Sequence, residues 1–330
     1  MAVEARPAPR VGLVLGAGGT VGLAYHSGVL RALEQVGGFV PDQADIVVGT
    51  SAGSVIGAYL RCGWSTEDLW GLAMGTHPVL SGLTPEEVEA RRAELFTPSF
   101  RSVPDFVRRG LGSAFVLART LSRLPAPPAP GPLRHLFPGG LFDMTEGHRR
   151  FNEDLPLGWP TRPLWLCAVD IVSGRRVVLG RRGAPFASLH EGVMASCAIP
   201  GFYRPVQVGN MTLVDGGAHS TSNLDVVAKA NCDLIVASVP LAWDTSAAPC
   251  GLYQLPRRFA ARRLSNEVAE ARSRGARVLL FRPGAPEVAM HGLNFMRRQG
   301  WEAVATMAYD AAARTLDTPR FRSALGDLAA

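Results

Sequence analysis

The stretch that decides the fold is Ala44-Asp-Ile-Val-Val-Gly-Thr-Ser-Ala-Gly-Ser-Val-Ile-Gly-Ala-Tyr-Leu60. Its apolar start, 46–48, predicts a short strand, and the small residues after it predict a sharp turn into a helix. This layout is typical of a nucleophile elbow, in which a serine hydroxyl, here that of Ser51, stands clear of the sheet at a helix N-terminus. Gly49 and Gly53 would let neighbouring backbone approach the turn. The alternative is a plain glycine-rich turn.

A second glycine-rich turn, Gly16-Ala-Gly-Gly-Thr-Val-Gly22, follows the apolar run 11–15. Because this turn lies between a predicted strand and a predicted helix, its amides would point outward and could hold an oxyanion. The rival interpretations are a plain tight turn and a dinucleotide-binding turn, but Val21 stands where strict G-x-G-x-x-G requires its last glycine. Strand, turn, helix and the strand at Ile46 form a βαβ unit, which predicts a parallel sheet.

A catalytic serine needs a base, and the sequence offers two kinds. The histidines nearest in sequence to these segments are His26, His190 and His219, although a lone histidine is more often structural. Asp215, in Val214-Asp-Gly-Gly-Ala218, is the better candidate because it directly follows a strand-like run. The two glycines after it, Gly216 and Gly217, would leave its carboxylate uncrowded, and the alternative is a carboxylate that only caps a turn.

Composition bounds the class of protein. The chain has 330 residues, 47% of them apolar, enough for a sizeable core. The first ten residues lack the apolar segment of a secretory signal, and no apolar run approaches a membrane span. Five widely spaced cysteines indicate reduced thiols, a cytoplasmic location and no metal site. The net charge of +6 allows attraction to anionic surfaces, but no nucleic-acid-binding motif is present, so no nucleic-acid partner is expected.

The order of patterns predicts one α/β domain over residues 1–330, a three-layer α/β/α sandwich with a mainly parallel central sheet. Its core would comprise about 10–75 and 160–285, with a helical, proline-rich insertion over about 76–160 in which strands vanish. Helices are expected over about 286–330. Further strands are predicted at 164–169, 176–179, 211–214, 234–239 and 278–281, and further helices near 186–197, 222–230, 257–274 and 301–316.

Four segments, in order, resemble the conserved blocks of patatin-like phospholipases, and the likeness is close to the bacterial members. They are Gly18-Gly19, Gly49-Thr-Ser-Ala-Gly53, Met194-Ala-Ser-Cys-Ala-Ile-Pro-Gly201 and Asp215-Gly-Gly217. The likeness covers roughly residues 10–240 and is weak in the insertion and the tail. One such block is modest evidence, whereas four in the right order are strong.

The resemblance implies a serine hydrolase of lipid esters that needs no histidine, metal or cofactor. Ser51 would be the nucleophile and Asp215 its base, while the amides of Gly18 and Gly19, helped by Ala52, would hold the oxyanion of an acyl transfer. The other motif glycines are Gly16, Gly49, Gly53, Gly216 and Gly217. Asn223 matches an asparagine found after Asp-Gly-Gly in many members. Asp215 can act as the base only if partial burial raises its pKa.

One position departs from the family pattern. The glycine-rich loop of the family usually ends in Gly-x-Arg/Lys-Gly, whereas this chain has Gly19-Thr-Val-Gly22. The missing cation leaves open whether phospholipid or neutral ester is preferred. Two other classes stay open beside the hydrolase: a non-catalytic lipid-binding or regulatory relative, in which Val21 marks decay of the site, and a nucleotide-binding oxidoreductase built on the loop Gly16–Gly22.

The segment 103–124 has the pattern of a basic amphipathic helix. Arg108, Arg109, Arg119 and Arg123 fall on one arc, opposite an apolar side formed by Val103, Phe106, Val107, Leu111, Leu117, Leu121 and Leu124. Such a helix suits peripheral contact with the anionic inner membrane surface. The alternative is an ordinary cap helix whose apolar side packs on the sheet domain. Gly110 and Gly112 make a straight helix less certain.

Overall fold

The computed structural model describes residues 9–80, 82–84, 86–87, 97–122, 139–243, 255–292 and 294–329. The proline-rich stretch 125–132, for which an extended or disordered chain is expected, lies outside the described residues. So do Arg123 and Leu124 at the end of the predicted amphipathic helix. The elements named below therefore refer to the described parts of the chain.

The strands are β1 (Val11–Leu15), β2 (Ile46–Gly49), β3 (Thr97–Pro98), β4 (Phe142–Asp143), β5 (Leu164–Asp170), β6 (Arg176–Leu179), β7 (Val206–Val208), β8 (Met211–Asp215), β9 (Leu234–Ser238) and β10 (Arg277–Phe281). The helices are α1 (Gly19–Gln35), α2 (Ala52–Arg61), α3 (Thr66–Met74), α4 (Val103–Ser122), α5 (Thr145–Asp154), α6 (Leu189–Cys197), α7 (Leu224–Ala228), α8 (Leu255–Ser273), α9 (Ala285–His291), α10 (Trp301–Leu316) and α11 (Pro319–Ala329). The predicted strands and helices all occur, with ends shifted by up to three residues. Strand β7 was not predicted.

Eight of the strands form one sheet. Strands β10, β9, β1, β2 and β5 are neighbours in that order, and each adjacent pair is parallel. The strands beyond them, β6, β8 and β7, pair antiparallel. The prediction of a mainly parallel central sheet is therefore confirmed.

The pairing along β5 brings the ends of two other strands together. Leu166 pairs with Gly49 of β2 and also with β6, so β2 and β6 lie on opposite edges of β5. Ala168 pairs with Asp215 of β8 and also with β6, so β8 lies on the same edge as β2. Because β2 runs parallel to β5 and β8 runs antiparallel, their carboxyl ends approach each other head to head, only two β5 residues apart.

Helices cover both faces of the sheet. Alternate residues of the strands point to opposite sides, and they divide between two apolar cores. One core combines strand residues such as Leu13 and Val47 with α1, α2, α3 and α10. The other combines Val14 and Ile46 with α7 and α8. The chain therefore has the predicted three-layer α/β/α fold.

Within the region predicted as an insertion, the structure describes two helices, α4 and α5, and a two-residue antiparallel pair, β3 with β4. The expectation that strands vanish there is wrong for this short pair. Its pairing extends to the site region, because Phe142 forms a bridge with Tyr203. The domain limits remain predictions. Among the described residues, no helix is both long enough and apolar enough to cross a membrane.

Candidate active site

Ser51 occupies a strained position between β2 and α2. Its backbone has φ 54° and ψ −120°, a region that non-glycine residues rarely adopt. Three contacts hold it there: its amide donates to Ser196 Oγ at 3.0 Å, its carbonyl accepts from Ser54 Oγ at 2.6 Å, and the preceding Thr50 amide donates to Leu15 O at 3.0 Å. The side chain is 6% exposed. The fold therefore holds this turn in a conformation that an isolated peptide would avoid.

Two glycines allow this turn to pack against β1 and the start of α2. A Cβ atom at Gly53 would lie 2.0 Å from the carbonyl oxygen of Leu15, and one at Gly49 would lie 2.6 Å from that of Gly53. Neither site can hold a side chain without moving backbone. The Gly53 amide also donates to Gly16 O at 3.2 Å, so the elbow and the glycine-rich loop after β1 are joined directly.

Asp215, the last residue of β8, reaches Ser51 because of the head-to-head arrangement on β5. It is 5% exposed, and its Oδ1 accepts from the Gly217 amide at 2.7 Å. Burial raises the pKa of Asp215 to about 6, and hydrogen bonds from the Ser51 side chain and the Gly217 amide oppose that rise. A carboxylate with this pKa is ionised at neutral pH and is a stronger base than an exposed aspartate.

The glycine-rich loop lies beside the same serine. Gly18 is the N-cap of α1, Gly19 is its first residue, and Ala52 is the first residue of α2. Among the described residues, nothing accepts a hydrogen bond from the backbone amides of these three. Two helix N-termini with available amides thus converge near Ser51, and such an arrangement favours negative charge. Val21, by contrast, is 1% exposed and packs in the core.

None of the three candidate histidines lines either cavity that contains Ser51. His26 is fully buried between Gly16 O and Ser238 Oγ, each 2.8 Å from a ring nitrogen, and burial lowers its pKa to about 4. Because the Gly16 carbonyl can only accept, Nε2 of His26 carries the proton and Nδ1 accepts from Ser238. His190 stacks edge-on against His148, and His219 contacts Arg263. The geometry favours Asp215 as the partner of Ser51.

Two cavities meet at Ser51, Gly19, Ile199 and Met296. The first runs between α1 and α2 and is mostly apolar, with Leu23, Val55, Ile56 and Phe151 among its lining residues and the arginines Arg150 and Arg298 also present. The second contains Asp215, Gly217, Gly18, Phe202 and Asn294. Cys197 lines the first cavity, but burial raises its pKa to about 12, so it stays a neutral thiol. The serine therefore stands between an apolar cleft and a more polar one.

Two parts of the site were missed by the sequence analysis. Ser196 accepts from the Ser51 amide and donates to Cys167 O at 2.7 Å, which ties the elbow to β5. It lies in the block 194–201 that was singled out, so its position carried a signal. The segment 294–298 carried none: Phe295 O accepts from the Val21 amide at 3.1 Å across more than 270 residues.

Helix α4 exposes apolar side chains. The exposed fractions are 76% for Val103, 44% for Phe106, 54% for Val107, 57% for Leu111 and 45% for Phe115. Arg109 instead turns inward and pairs with Asp105 at 3.1 Å, whereas Arg108 is about half exposed. The cap-helix interpretation, with its apolar side packed on the sheet domain, is therefore wrong for residues 103–115. The helix is held through Ser113, whose Oγ accepts from the Gly140 amide at 2.9 Å.

Among the described residues, no cluster of three or more histidine, cysteine, aspartate or glutamate side chains could hold a metal ion.

Comparison with known families agrees with the geometry. The family model "Patatin-like phospholipase" matches residues 13–228. Curated relatives include the uncharacterized NTE family protein Rv1063c of Mycobacterium tuberculosis (strain ATCC 25618 / H37Rv) and Mb1092c of Mycobacterium bovis. Each is 28% identical over 240 residues, which cover 71% of this chain and 50% of the relative. The chain thus spans about half the length of the curated relatives it matches.

Solved structures that are similar to this chain include VipD from Legionella pneumophila, with a TM-score of 0.42 and 13% identity over 94% of this chain and 67% of that chain. The type III effector protein ExoU has a TM-score of 0.37 and 14% identity, over 94% of this chain and 54% of that chain.

Proposed function

The chain belongs to the patatin-like phospholipase family, and we propose that it is a serine acyl hydrolase that cleaves a carboxylic ester of a lipid. The observation that carries the proposal is the pairing of Ser51 with a buried aspartate. Ser51 and Asp215 line the same cavity, and burial raises the pKa of Asp215 to about 6 while the Ser51 side chain opposes that rise. A hydroxyl beside an ionised, desolvated carboxylate has a base for its proton and an open cavity on either side.

The first half of the reaction would transfer the acyl group to the enzyme. Asp215 takes the Ser51 proton as Oγ attacks the ester carbon, and the carbonyl oxygen becomes an oxyanion. The amides of Gly18, Gly19 and Ala52, which have no acceptor among the described residues, are available to stabilise that charge. When the oxyanion collapses, the bond to the leaving oxygen breaks and that oxygen receives the proton from Asp215. The product is an acyl ester on Ser51.

The second half would repeat the steps with water as nucleophile. Asp215 takes a proton from water as it attacks the acyl-enzyme, and the same amides hold the second oxyanion. Collapse releases the carboxylic acid, and Ser51 regains its proton from Asp215. The cycle needs no cofactor, and each proton is taken up and returned by one carboxylate.

The two cavities support a lipid ester as the substrate. The apolar cleft between α1 and α2 suits an acyl chain, since it is lined by side chains such as Leu23, Val55 and Ile56. The cavity around Asp215 would receive the alcohol portion. Arg150 and Arg298 bring positive charge to the apolar cleft. Arg150 also pairs with Asp154 at 3.9 Å. The two arginines line the same cavity as Ser51 although position 21 is a buried valine, which supports an anionic lipid among the substrates.

We also propose that α4 brings the protein to a lipid surface from the cytoplasmic side. Its exposed apolar side chains are accompanied by the exposed Arg108, a combination that binds anionic interfaces. The helix is linked to the site, because Gly140, which contacts Ser113, precedes the β4 segment that pairs with Tyr203. The described cysteines, Cys62, Cys167, Cys197 and Cys232, are free thiols, in keeping with a reducing compartment.

Turnover of short and medium p-nitrophenyl esters by the wild-type protein and by Ser51→Ala tests the hydrolase. We expect Ser51-dependent release of nitrophenol, followed by hydrolysis of lipid esters. Equal rates in the two proteins would mean that the elbow is only a turn. Vesicle binding without any ester turnover would favour the non-catalytic relative. Cofactor-dependent absorbance of the purified protein, together with no fluorophosphonate adduct on Ser51, would favour the nucleotide-binding oxidoreductase.

A further inference from the structure

Asn223 lies at the junction of the two segments that carry the proposed dyad. It is fully buried and has φ 51°, in the left-handed region. Its Nδ2 donates to Thr50 Oγ1 at 3.0 Å and to Ser220 O at 2.6 Å, and it also approaches Gly216 O at 3.4 Å. Thr50 immediately precedes Ser51, and Gly216 immediately follows Asp215. One amide group therefore contacts both neighbours of the dyad.

The orientation of this amide is fixed from the other side. Arg176 Nη1 lies 2.9 Å from the Asn223 Oδ1 atom. Because a guanidinium can only donate, the atom facing it must be the oxygen, and the NH2 group must face Thr50 and Ser220. Arg176 in turn makes two 2.6 Å hydrogen bonds to Asp225. The side chains of this ion pair are 15% and 6% exposed, so the guanidinium is held on a buried carboxylate.

We infer that Asn223 is a positioning residue that sets the distance between Ser51 and Asp215, with Arg176 and Asp225 fixing its orientation. The two strands that carry the dyad, β2 and β8, meet end to end on β5 and are not paired with each other along their length. Pairing with β5 therefore sets where Gly49 and Asp215 lie, but no strand pairing includes Thr50 or Gly216. The Asn223 amide connects Thr50 with Gly216, whereas the nearby glycines have no side chain that could make such a connection.

The inference makes a specific kinetic prediction, and it rests on the proposed hydrolase. Asn223 lines neither cavity, so it would not contact bound ester and its loss should leave KM nearly unchanged. A displacement of about 1 Å between catalytic groups can cost about a hundredfold in rate. Removing the amide should accordingly lower kcat, and not KM, by about that factor.

The test uses Asn223→Gly, because glycine accepts the left-handed backbone and only the side chain is lost. The matched control is Asn231→Gly. Asn231 has φ 56° but is exposed and belongs to neither cavity. We expect Asn223→Gly to lower kcat on p-nitrophenyl esters about a hundredfold and to slow fluorophosphonate labelling of Ser51, whereas Asn231→Gly stays within twofold of wild type.

Two further variants separate positioning from packing. Asn223→Asp keeps the shape and the contact with Arg176 but cannot donate, so positioning predicts a loss of tenfold or more and packing predicts nearly normal kcat. Thr50→Val removes the acceptor with little change in volume and should lower kcat about tenfold. Combining it with Asn223→Gly should add little, because both changes break the same contact. If Asn223→Gly fails to fold in thermal unfolding, Thr50→Val decides.

Each outcome is informative. Wild-type kcat in Asn223→Gly or Thr50→Val, recovery of kcat in Asn223→Asp, or a rise in KM at constant kcat would each overturn the positioning role while the hydrolase stands. A wild-type protein without Ser51-dependent turnover or labelling would instead overturn the proposed function, and the positioning role with it.

Discussion

The elbow and helix α4 differ in how firmly the rest of the chain holds them. Ser51 and Asp215 are at most 6% exposed, and hydrogen bonds join their neighbours to β1, β5 and α6. Helix α4 exposes about half or more of several apolar side chains. Surrounding contacts maintain the strained backbone of the elbow, whereas α4 keeps apolar side chains exposed to solvent.

This difference separates two tasks that a lipid hydrolase must perform. Bond cleavage requires atoms fixed to within a fraction of an ångström, which a buried, hydrogen-bonded site provides. Access to an insoluble substrate requires apolar surface, which a buried site cannot provide. Changes at the elbow should therefore alter turnover of every ester, while changes on the exposed side of α4 should alter only turnover at a lipid surface.

The largest expected effect is on the base. Asp215→Asn preserves the shape of the side chain and removes its ability to take a proton, so kcat should fall by about a hundredfold or more. The measurement is steady-state turnover of a soluble p-nitrophenyl ester at pH 8, with KM determined in the same assay. A variant that keeps near-normal kcat would show that another group accepts the proton.

The same substitution should stabilise the fold. Burial raises the pKa of folded Asp215 from 3.8 to about 6, so folding favours the protonated form. The stability that the raised pKa of Asp215 contributes is fully present below pH 4 and is lost as the pH rises through 6. An asparagine amide does not ionise and therefore keeps its contribution at high pH. The free energy of unfolding of Asp215→Asn should accordingly be up to about 3 kcal/mol higher than that of wild type at pH 8. Denaturant melts at pH 8 and pH 4 measure this, and a gain of equal size at both would contradict it.

The pH profile of wild type should report the same carboxylate. Only the ionised form of Asp215 can accept the Ser51 proton, so kcat/KM should fall about tenfold per pH unit below an apparent pKa near 6. The measurement is kcat/KM on a soluble ester from pH 4 to 8. Activity that stays constant down to pH 4.5 would mean that Asp215 is not a base with this pKa.

A smaller, substrate-dependent effect is expected at α4. Replacing Val107 and Leu111 together with glutamine keeps the helix but removes two exposed apolar side chains. Sedimentation with anionic vesicles, and turnover of lipid in those vesicles, should fall about tenfold or more. Turnover of a soluble ester should not change.

The control for α4 is a matched pair elsewhere on the surface. Leu157 and Phe186 are 85% and 96% exposed and lie outside α4, so their replacement with glutamine should leave vesicle binding near wild type. Equal losses in both pairs would indicate a general effect of surface hydrophobicity. Unchanged vesicle binding in the α4 pair would remove this helix from the account.

Local patterns were sufficient for the elements and for the candidate residues of the elbow. The run before Gly49 and the small residues after it could be read as strand, turn and helix because steric rules act over a few positions. The start of α3 is likewise a local feature, because Ser65 and Asp68, three residues apart, form its capping box. The strands with strong apolar runs were found for the same reason.

The spatial arrangement of those elements could not be predicted from local sequence patterns. That β8 meets β2 head to head on β5 depends on which strands pair, and pairing is decided by the whole core. Periodicity divided α4 into two sides but could not tell which side packs, and the structure turns Arg109 inward and Leu111 outward. Phe295 contacts the glycine-rich loop although the two lie far apart in the sequence, so no local sequence pattern predicts this contact.

The most direct test of the Ser51–Asp215 account is the site and rate of covalent labelling. The purified protein is treated with a fluorophosphonate, digested and mapped by mass spectrometry, in parallel with Asp215→Asn. The account predicts a single adduct on Ser51 that forms readily in wild type and far more slowly in the variant. An adduct on another serine, or equal labelling rates in the two proteins, would contradict it.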